Sequence, residues 1–173
     1  TIYDADDADL NMWAVISSII PSYSATKHTG VCAFDGKILV SSREGYGGLA
    51  ILDLPISKNI WHGFGQGGDS AGVYVQENWN TTTPTPRLST ATRISAEFLV
   101  NRSVNDVAIT VLDDAPIDAT TGLPVPTIAV ATAGGVSVIK DDGTVADSST
   151  VAPCYDLVFD GDSLLYTVSA TPH

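Results

Sequence analysis

The sequence predicts an all-β protein whose antiparallel sheets are arranged as propeller-like blades, together forming a partial propeller. Three observations favour this fold class. Helical periodicity is nearly absent, short runs rich in Val, Ile and Thr alternate with turn residues, and a Gly-Gly-apolar-x-apolar-apolar pattern occurs twice. A β-sandwich with two similar hairpins is the alternative architecture.

Nine apolar runs are predicted as strands, and two weaker runs are added to them. The strong runs are 12–20, 30–34, 37–41, 49–54, 105–112, 127–132, 136–140, 155–159 and 163–169. The weaker runs are 72–76 and 94–100, and the second of these is also compatible with a short helix.

Asp-Gly pairs mark three of the predicted turns. They occur at Asp35-Gly36, Asp142-Gly143 and Asp160-Gly161, each between two strand-like runs. These residue types tolerate the positive φ angles of a tight hairpin turn. The sequence therefore predicts a hairpin at each of these places.

Two short motifs recur along the chain and indicate a repeat. The Gly-Gly pairs at Gly47 and Gly134 are 87 positions apart, and the Phe-Asp-Gly motifs at Phe34 and Phe159 are 125 apart. Both intervals are close to multiples of about 42 residues, a common propeller-blade length. We therefore divide the chain into an N-terminal strand and acidic segment (1–29), a blade-like unit (30–63), an irregular insertion or degenerate unit (64–103), a second blade-like unit (104–148) and a partial blade (149–173).

Several of these runs resemble a known family. The runs 104–108, 115–118, 121–132 and 134–145, and the opening Tyr3-Asp4-Ala5-Asp6-Asp7, are similar to segments of large structural proteins of tailed bacteriophages. Those proteins carry propeller-like repeats, sometimes beside a lectin-like sandwich domain. The resemblance covers about 31–60 and 104–145 well and implies a virion context, with no catalytic motif.

Composition excludes several classes of protein. The 173 residues include 20 acids and 8 bases, which gives a net charge of −12. Eight scattered bases do not form the basic surface that nucleic acids require, so we expect no nucleic-acid partner. Apolar residues make up 44% of the chain, a content typical of a globular protein and not of a disordered acidic tail. No apolar run approaches the roughly 18 residues of a membrane span, so none is expected.

Two short patterns were considered as catalytic or metal sites. Ser70 lies in Gly68-Asp69-Ser70-Ala71-Gly72, which fits the G-x-S-x-G pattern of serine hydrolases but lacks the strand, sharp turn and helix that this nucleophile needs. We therefore predict that the protein is not an enzyme. An acidic run supplies weak candidate ligands for Ca²⁺, although a solvated acidic terminus is the preferred interpretation, and we predict no other cofactor. Its carboxylates are Asp4, Asp6, Asp7 and Asp9.

Aromatic residues supply the candidate ligand-binding site. Trp79 lies in a polar loop and Tyr74 in the weaker run 72–76, and both could stack on a sugar ring. Trp61 lies in an apolar run and is predicted to be core. Cys32 and Cys154 are predicted to be buried free thiols, since no disulfide framework surrounds them.

These observations predict a non-enzymatic structural or host-attachment component of a phage virion. The alternative is a secreted carbohydrate-binding or carbohydrate-degrading β-protein. A propeller section leaves sheet faces uncovered, and such faces mark partner interfaces. The expected partners are therefore virion subunits or the rest of the same polypeptide, together with a host-surface glycan.

Overall fold

The computed structural model describes residues 2–3, 12–14, 27–43, 47–54, 58–64, 71–76, 92–95, 99–148 and 152–168. All regular elements in these ranges are β-strands, and every strand pairing is antiparallel, which confirms the predicted all-β class. This part of the chain contains no helix of the length and hydropathy needed to cross a membrane. Strands β1 (Ile2–Tyr3) and β2 (Met12–Ala14) pair only with each other.

The first sheet contains six strands, each paired with its neighbours in chain order. They are β3 (His28–Phe34), β4 (Lys37–Ser42), β5 (Gly48–Asp53), β6 (Lys58–Phe64), β7 (Ala71–Gln76) and β8 (Thr92–Ser95). The sequence did not predict β6, because Asn59, His62 and Gly63 interrupt its apolar alternation. Strand β8 includes Ile94 and Ser95 of the run predicted at 94–100, residues 99 and 100 are not in a strand, and residues 96–98 lie outside the described ranges.

The second sheet has four strands and the third has two, again in chain order. The second sheet consists of β9 (Val104–Thr110), β10 (Thr127–Thr132), β11 (Gly135–Ile139) and β12 (Val145–Asp147), and the third of β13 (Cys154–Asp160) and β14 (Ser163–Val168). A connection at 111–126 separates β9 from β10. Most predicted strands differ from these bounds by one or two residues at an end, while residues 15–20 of the run predicted at 12–20 lie outside the described ranges.

The three sheets stack in chain order, with one apolar core in each gap. Since successive side chains of a strand point to opposite faces, strands β9, β10 and β11 of the middle sheet contribute to both cores. The gap between the first and second sheets is filled by Leu39, Leu49, Ile51, Leu99, Val104, Val107, Ile128, Val130 and Ile139. The gap between the second and third is filled by Ala129, Ala131, Val136, Cys154 and Leu157.

The first strands of the three sheets lie side by side. The Thr29 hydroxyl of β3 donates to the Val104 carbonyl of β9 at 2.7 Å. The Asn105 amide of β9 donates to the Cys154 carbonyl of β13 at 2.6 Å. Both bonds join the beginnings of neighbouring first strands, so β3, β9 and β13 run in the same direction through the stack.

The Gly-Gly motif occupies the same place in the first and second sheets. Gly48 and Gly135 each open the third strand, with φ of 149° and 126°. Each glycine pairs with the last residue of the second strand, Ser42 or Thr132. That residue's hydroxyl donates to the glycine carbonyl, at 3.4 Å and 2.9 Å respectively. The two sheets are direct neighbours, so the 87-residue interval between the Gly-Gly pairs separates adjacent sheets. Residues 71–76 and 92–95, which lie between the pairs, form β7 and β8 of the first sheet.

The Phe-Asp-Gly motifs form two different turns. Asp35 and Gly36, with φ of 47° and 76°, are the two loop residues between the paired Phe34 and Lys37. In the third sheet, Asp160 itself pairs with Ser163, and the loop begins one residue later. The Phe-Asp-Gly motif begins three residues before the second strand in the first sheet and four residues before it in the third. Equivalent residues of the three sheets are therefore matched by counting from the first residue of the second strand, which is 37, 127 or 163.

Candidate functional site

Acidic connections collect at one end of the stack. Strand direction alternates within each sheet, and β3, β9 and β13 run in the same direction. The connections 35–36, 111–126, 140–144 and 161–162 therefore share one end. We call this the acidic end, and its carboxylates are those of Asp35, Asp113, Asp114, Asp118, Asp141, Asp142, Asp160 and Asp162.

Two of these carboxylates stabilise the loops that carry them. Asp118 Oδ1 accepts from the amides of Thr120 at 2.7 Å and Thr121 at 3.3 Å, and these bonds lower the pKa of Asp118. Asp142 Oδ1 accepts from the Thr144 hydroxyl at 2.6 Å and amide at 2.9 Å, which lowers the pKa of Asp142. Across the described residues, no three His, Cys, Asp or Glu side chains are grouped as metal ligands.

Most of the predicted ligand residues lie outside the described ranges. This applies to Trp79, to the nucleophile candidate Ser70 and to the acidic run Asp4, Asp6, Asp7 and Asp9. The backbone of Tyr74 lies in β7, opposite Trp61 of β6 and Arg93 of β8. Tyr74 therefore belongs to an inner strand of the first sheet and not to a loop.

Polar side chains are buried or half-buried at two separate places in the first sheet. Lys37 and Asp53 are directly opposite each other on β4 and β5, and Lys37 Nζ lies 3.1 Å from Asp53 Oδ2. His62 is 4% exposed, its Nδ1 has no hydrogen-bond partner, and burial lowers its pKa to about 4. Trp61, buried as predicted, lies on the face opposite the neighbouring sheet with Val40.

Gly63 of β6 has no room for a larger side chain, because the indole ring of Trp61 lies close to its Cα. A β-carbon added at Gly63 would meet the indole ring of Trp61. Sequence reasoning missed the buried His62 because it lies on β6, the strand that it did not predict. The apolar run around Trp61 was the one sequence feature that indicated a buried segment there.

The polar side chains of β9 join the second sheet to the third. Asp106 Oδ2 accepts from the Leu157 amide at 3.2 Å, beside the bond from Asn105 to Cys154. Burial, and to a smaller extent the charge of Asp106, raises the pKa of Cys32, and burial is also the main cause of the raised pKa of Cys154. Both cysteines are free, as predicted, and they belong to the cores on opposite sides of the second sheet.

The outward face of the third sheet is largely polar, and Val158 is its exposed apolar side chain among the described residues. Leu157 and Leu164 point towards the second sheet and pack in the core. Val158, the next residue after Leu157, points the other way and is 55% exposed. Asp156 and Thr167, which are paired across the two strands, are exposed as well. The outer edge of β14 pairs with no other strand in the described part of the chain.

Comparison with known proteins adds no relative. No protein-family description matches the chain, and neither does any curated protein or any solved structure.

Proposed function

We propose that this chain is a non-enzymatic structural or host-attachment component of a phage virion, built as a section of a propeller-like β-assembly. One observation carries the proposal. Three meander sheets stack in chain order with their first strands side by side, and the outward face of the last sheet leaves Val158 exposed.

The stack has the local geometry of propeller blades. Blades are antiparallel meanders that bury their faces against each other by radial repetition. In this chain the burial alternates accordingly: Leu39 and Ala129 point to the next sheet, while Ile128 and Leu164 point to the previous one. The outward face of the third sheet, at the end of the stack, supports contact with further protein.

The virion context comes from the sequence resemblance in 31–60 and 104–145. The residues 104–145 include β9, β10 and β11, which contribute to both cores of the stack. The acidic end offers a hydrated, negatively charged surface that stays soluble at high local concentration.

Immunogold labelling tests the proposal. Antibodies raised against the full chain are applied to purified particles from its source, with antibody pre-absorbed on the chain as the control. We expect gold at a defined position on the particles. A chain found in the culture fluid but absent from particles would contradict the virion role, and release of reducing sugar from host polysaccharide by the purified chain would contradict the non-enzymatic role.

A further inference from the structure

We propose that Asn105 and Asp106 of β9 form a polar clasp that fixes the third sheet on the second, and that the third sheet opens as a unit when the clasp is broken. The apolar core between the two sheets favours their contact, but it is not directional. The clasp determines which strands meet and in which register. The inference concerns the stack itself and does not depend on the virion role.

A β-bulge lies at the second residue of each first strand. In all three sheets the ladder pairs the first and third residues of this strand with consecutive residues of the second strand, so the residue between them is left over. The left-over residues are Thr29 in β3, Asn105 in β9 and Tyr155 in β13. Since bulges re-aim the side chains around them, a device repeated at one place in three sheets points to a shared role.

The bulge in β9 turns two consecutive polar side chains towards the third sheet. Val104 and Val107, on either side of Asn105 and Asp106, both lie in the core towards the first sheet. A regular strand would send Asn105 and Asp106 to opposite faces. Here both of them contact β13 instead, through hydrogen bonds of their side chains.

The clasp binds the free edge of β13. The Asn105 amide donates to the Cys154 carbonyl at 2.6 Å, and Asp106 Oδ2 accepts from the Leu157 amide at 3.2 Å. Among the described strands β13 pairs only with β14, so both backbone groups belong to the other edge. Backbone groups of successive residues point to opposite edges of a strand, and a shift of β13 by one residue would therefore break both bonds.

The unpaired oxygen of Asn105 supports a role for its donor. Asn105 Oδ1 is buried and has no hydrogen-bond partner among the described residues. A buried carbonyl without a partner costs free energy, which an apolar residue at this place would avoid. The side-chain amide offsets this cost because it meets the carbonyl of Cys154, a residue that is itself fully buried.

The first and second sheets are joined by a simpler contact. Thr29 donates to the Val104 carbonyl at 2.7 Å, which is again a bond from the second residue of one first strand to the first residue of the next. The following residue is Gly30, so β3 has no counterpart of Asp106. The larger core compensates: nine buried apolar side chains of the described residues fill this gap, against five in the other, two of them alanines. The third sheet therefore depends most on its clasp.

Matched controls lie in β13 itself. Tyr155 and Asp156 occupy the places that Asn105 and Asp106 occupy in β9, and both are exposed. None of the described apolar cores lies on this face of the third sheet. Substitutions at Tyr155 and Asp156 thus change the same positions of a bulged strand without breaking a contact between sheets.

Hydrogen exchange and thiol labelling of the full chain test the clasp. Asn105→Asp keeps the shape of the side chain but removes its donor, Asp106→Leu removes the acceptor, and Asp106→Asn keeps an acceptor oxygen. We expect the first two to speed exchange of the Leu157 amide and labelling of Cys154 at least about tenfold, and Asp106→Asn to change both by less than about twofold. Peptide mass spectrometry separates Cys154 from the half-exposed Cys32.

The controls locate the opening. Tyr155→Ala and Asp156→Asn should leave both rates unchanged, and the amide of Val130 in the second sheet should exchange at the same rate in every variant. Should Asn105→Asp not fold, Asn105→Ala removes the same donor without adding a charge and carries the same expectation.

Three results would overturn the proposal. The first is unchanged exchange at Leu157 and unchanged labelling of Cys154 in the variants that lack the donor or the acceptor. The second is equal acceleration in all three sheets, which would show that the third sheet does not open as a unit. The third is equal acceleration by Asp106→Asn and Asp106→Leu, which would show that the acceptor oxygen is not what matters. All of these are measured on the purified chain, so gold labelling of particles decides the virion role separately.

Discussion

Acidification should destabilise the fold through His62. Its pKa in the native state is about 4 because of burial, against 6.5 for an unperturbed histidine. Above about pH 7.5 the side chain is almost entirely neutral in both states and contributes little pH dependence. Between the two values the unfolded chain binds a proton that the native chain does not, so the free energy of unfolding falls as the pH falls. From about pH 7.5 to about pH 5 the loss is about 2 kcal/mol.

Urea denaturation at both pH values measures this loss in the full chain and in the His62→Leu variant. The strands on either side place Leu49 and Val73 opposite His62, so leucine is compatible with the site. Carboxylates titrate in both proteins, and their contribution cancels in the difference. We expect the variant to gain about 2 kcal/mol relative to the wild type on acidification. The exposed His28, changed to Gln, is the control, and identical pH slopes for His62→Leu and wild type would refute the reasoning.

Three further results are expected. Lys37→Met should lower the free energy of unfolding by about 3 kcal/mol, because it removes the cation that pairs with the buried Asp53 carboxylate. A second change, Asp53→Leu, should recover most of this loss. If the losses of the two changes add instead, the pairing is contradicted. In urea denaturation, Gly48→Ala should lower the free energy of unfolding by about 3 kcal/mol, because the added β-carbon meets the backbone of the adjacent strand. The control Gly122→Ala, at a glycine with positive φ but open space around it, should lower it by about 1 kcal/mol. Equal losses would argue against the close approach at Gly48. Cys154 should react with a thiol reagent only after unfolding, and rapid labelling of the native chain would show that this core is open.

The candidate site was only partly predictable. Asp142 was expected in a turn because Asp-Gly chemistry is local, and the structure shows its carboxylate bonded two residues along the chain. The buried His62 was not expected, because its burial comes from strands that lie on either side of it in the sheet.

The sequence by itself determined the all-β class, the positions of most strands and the free cysteines. These follow from local chemistry: β-branched runs favour extended backbone, and Asp-Gly pairs favour reversal of the chain. Only the tertiary structure decided which strands share a sheet. Nothing in the sequences of β7 and β8 specifies that these strands belong to the first sheet. The 87 positions between the Gly-Gly pairs also give no indication that the first and second sheets are neighbours. The physical reason is that sheet membership and stacking are set by long-range burial, which joins residues distant in sequence and leaves the outer face of the last sheet uncovered.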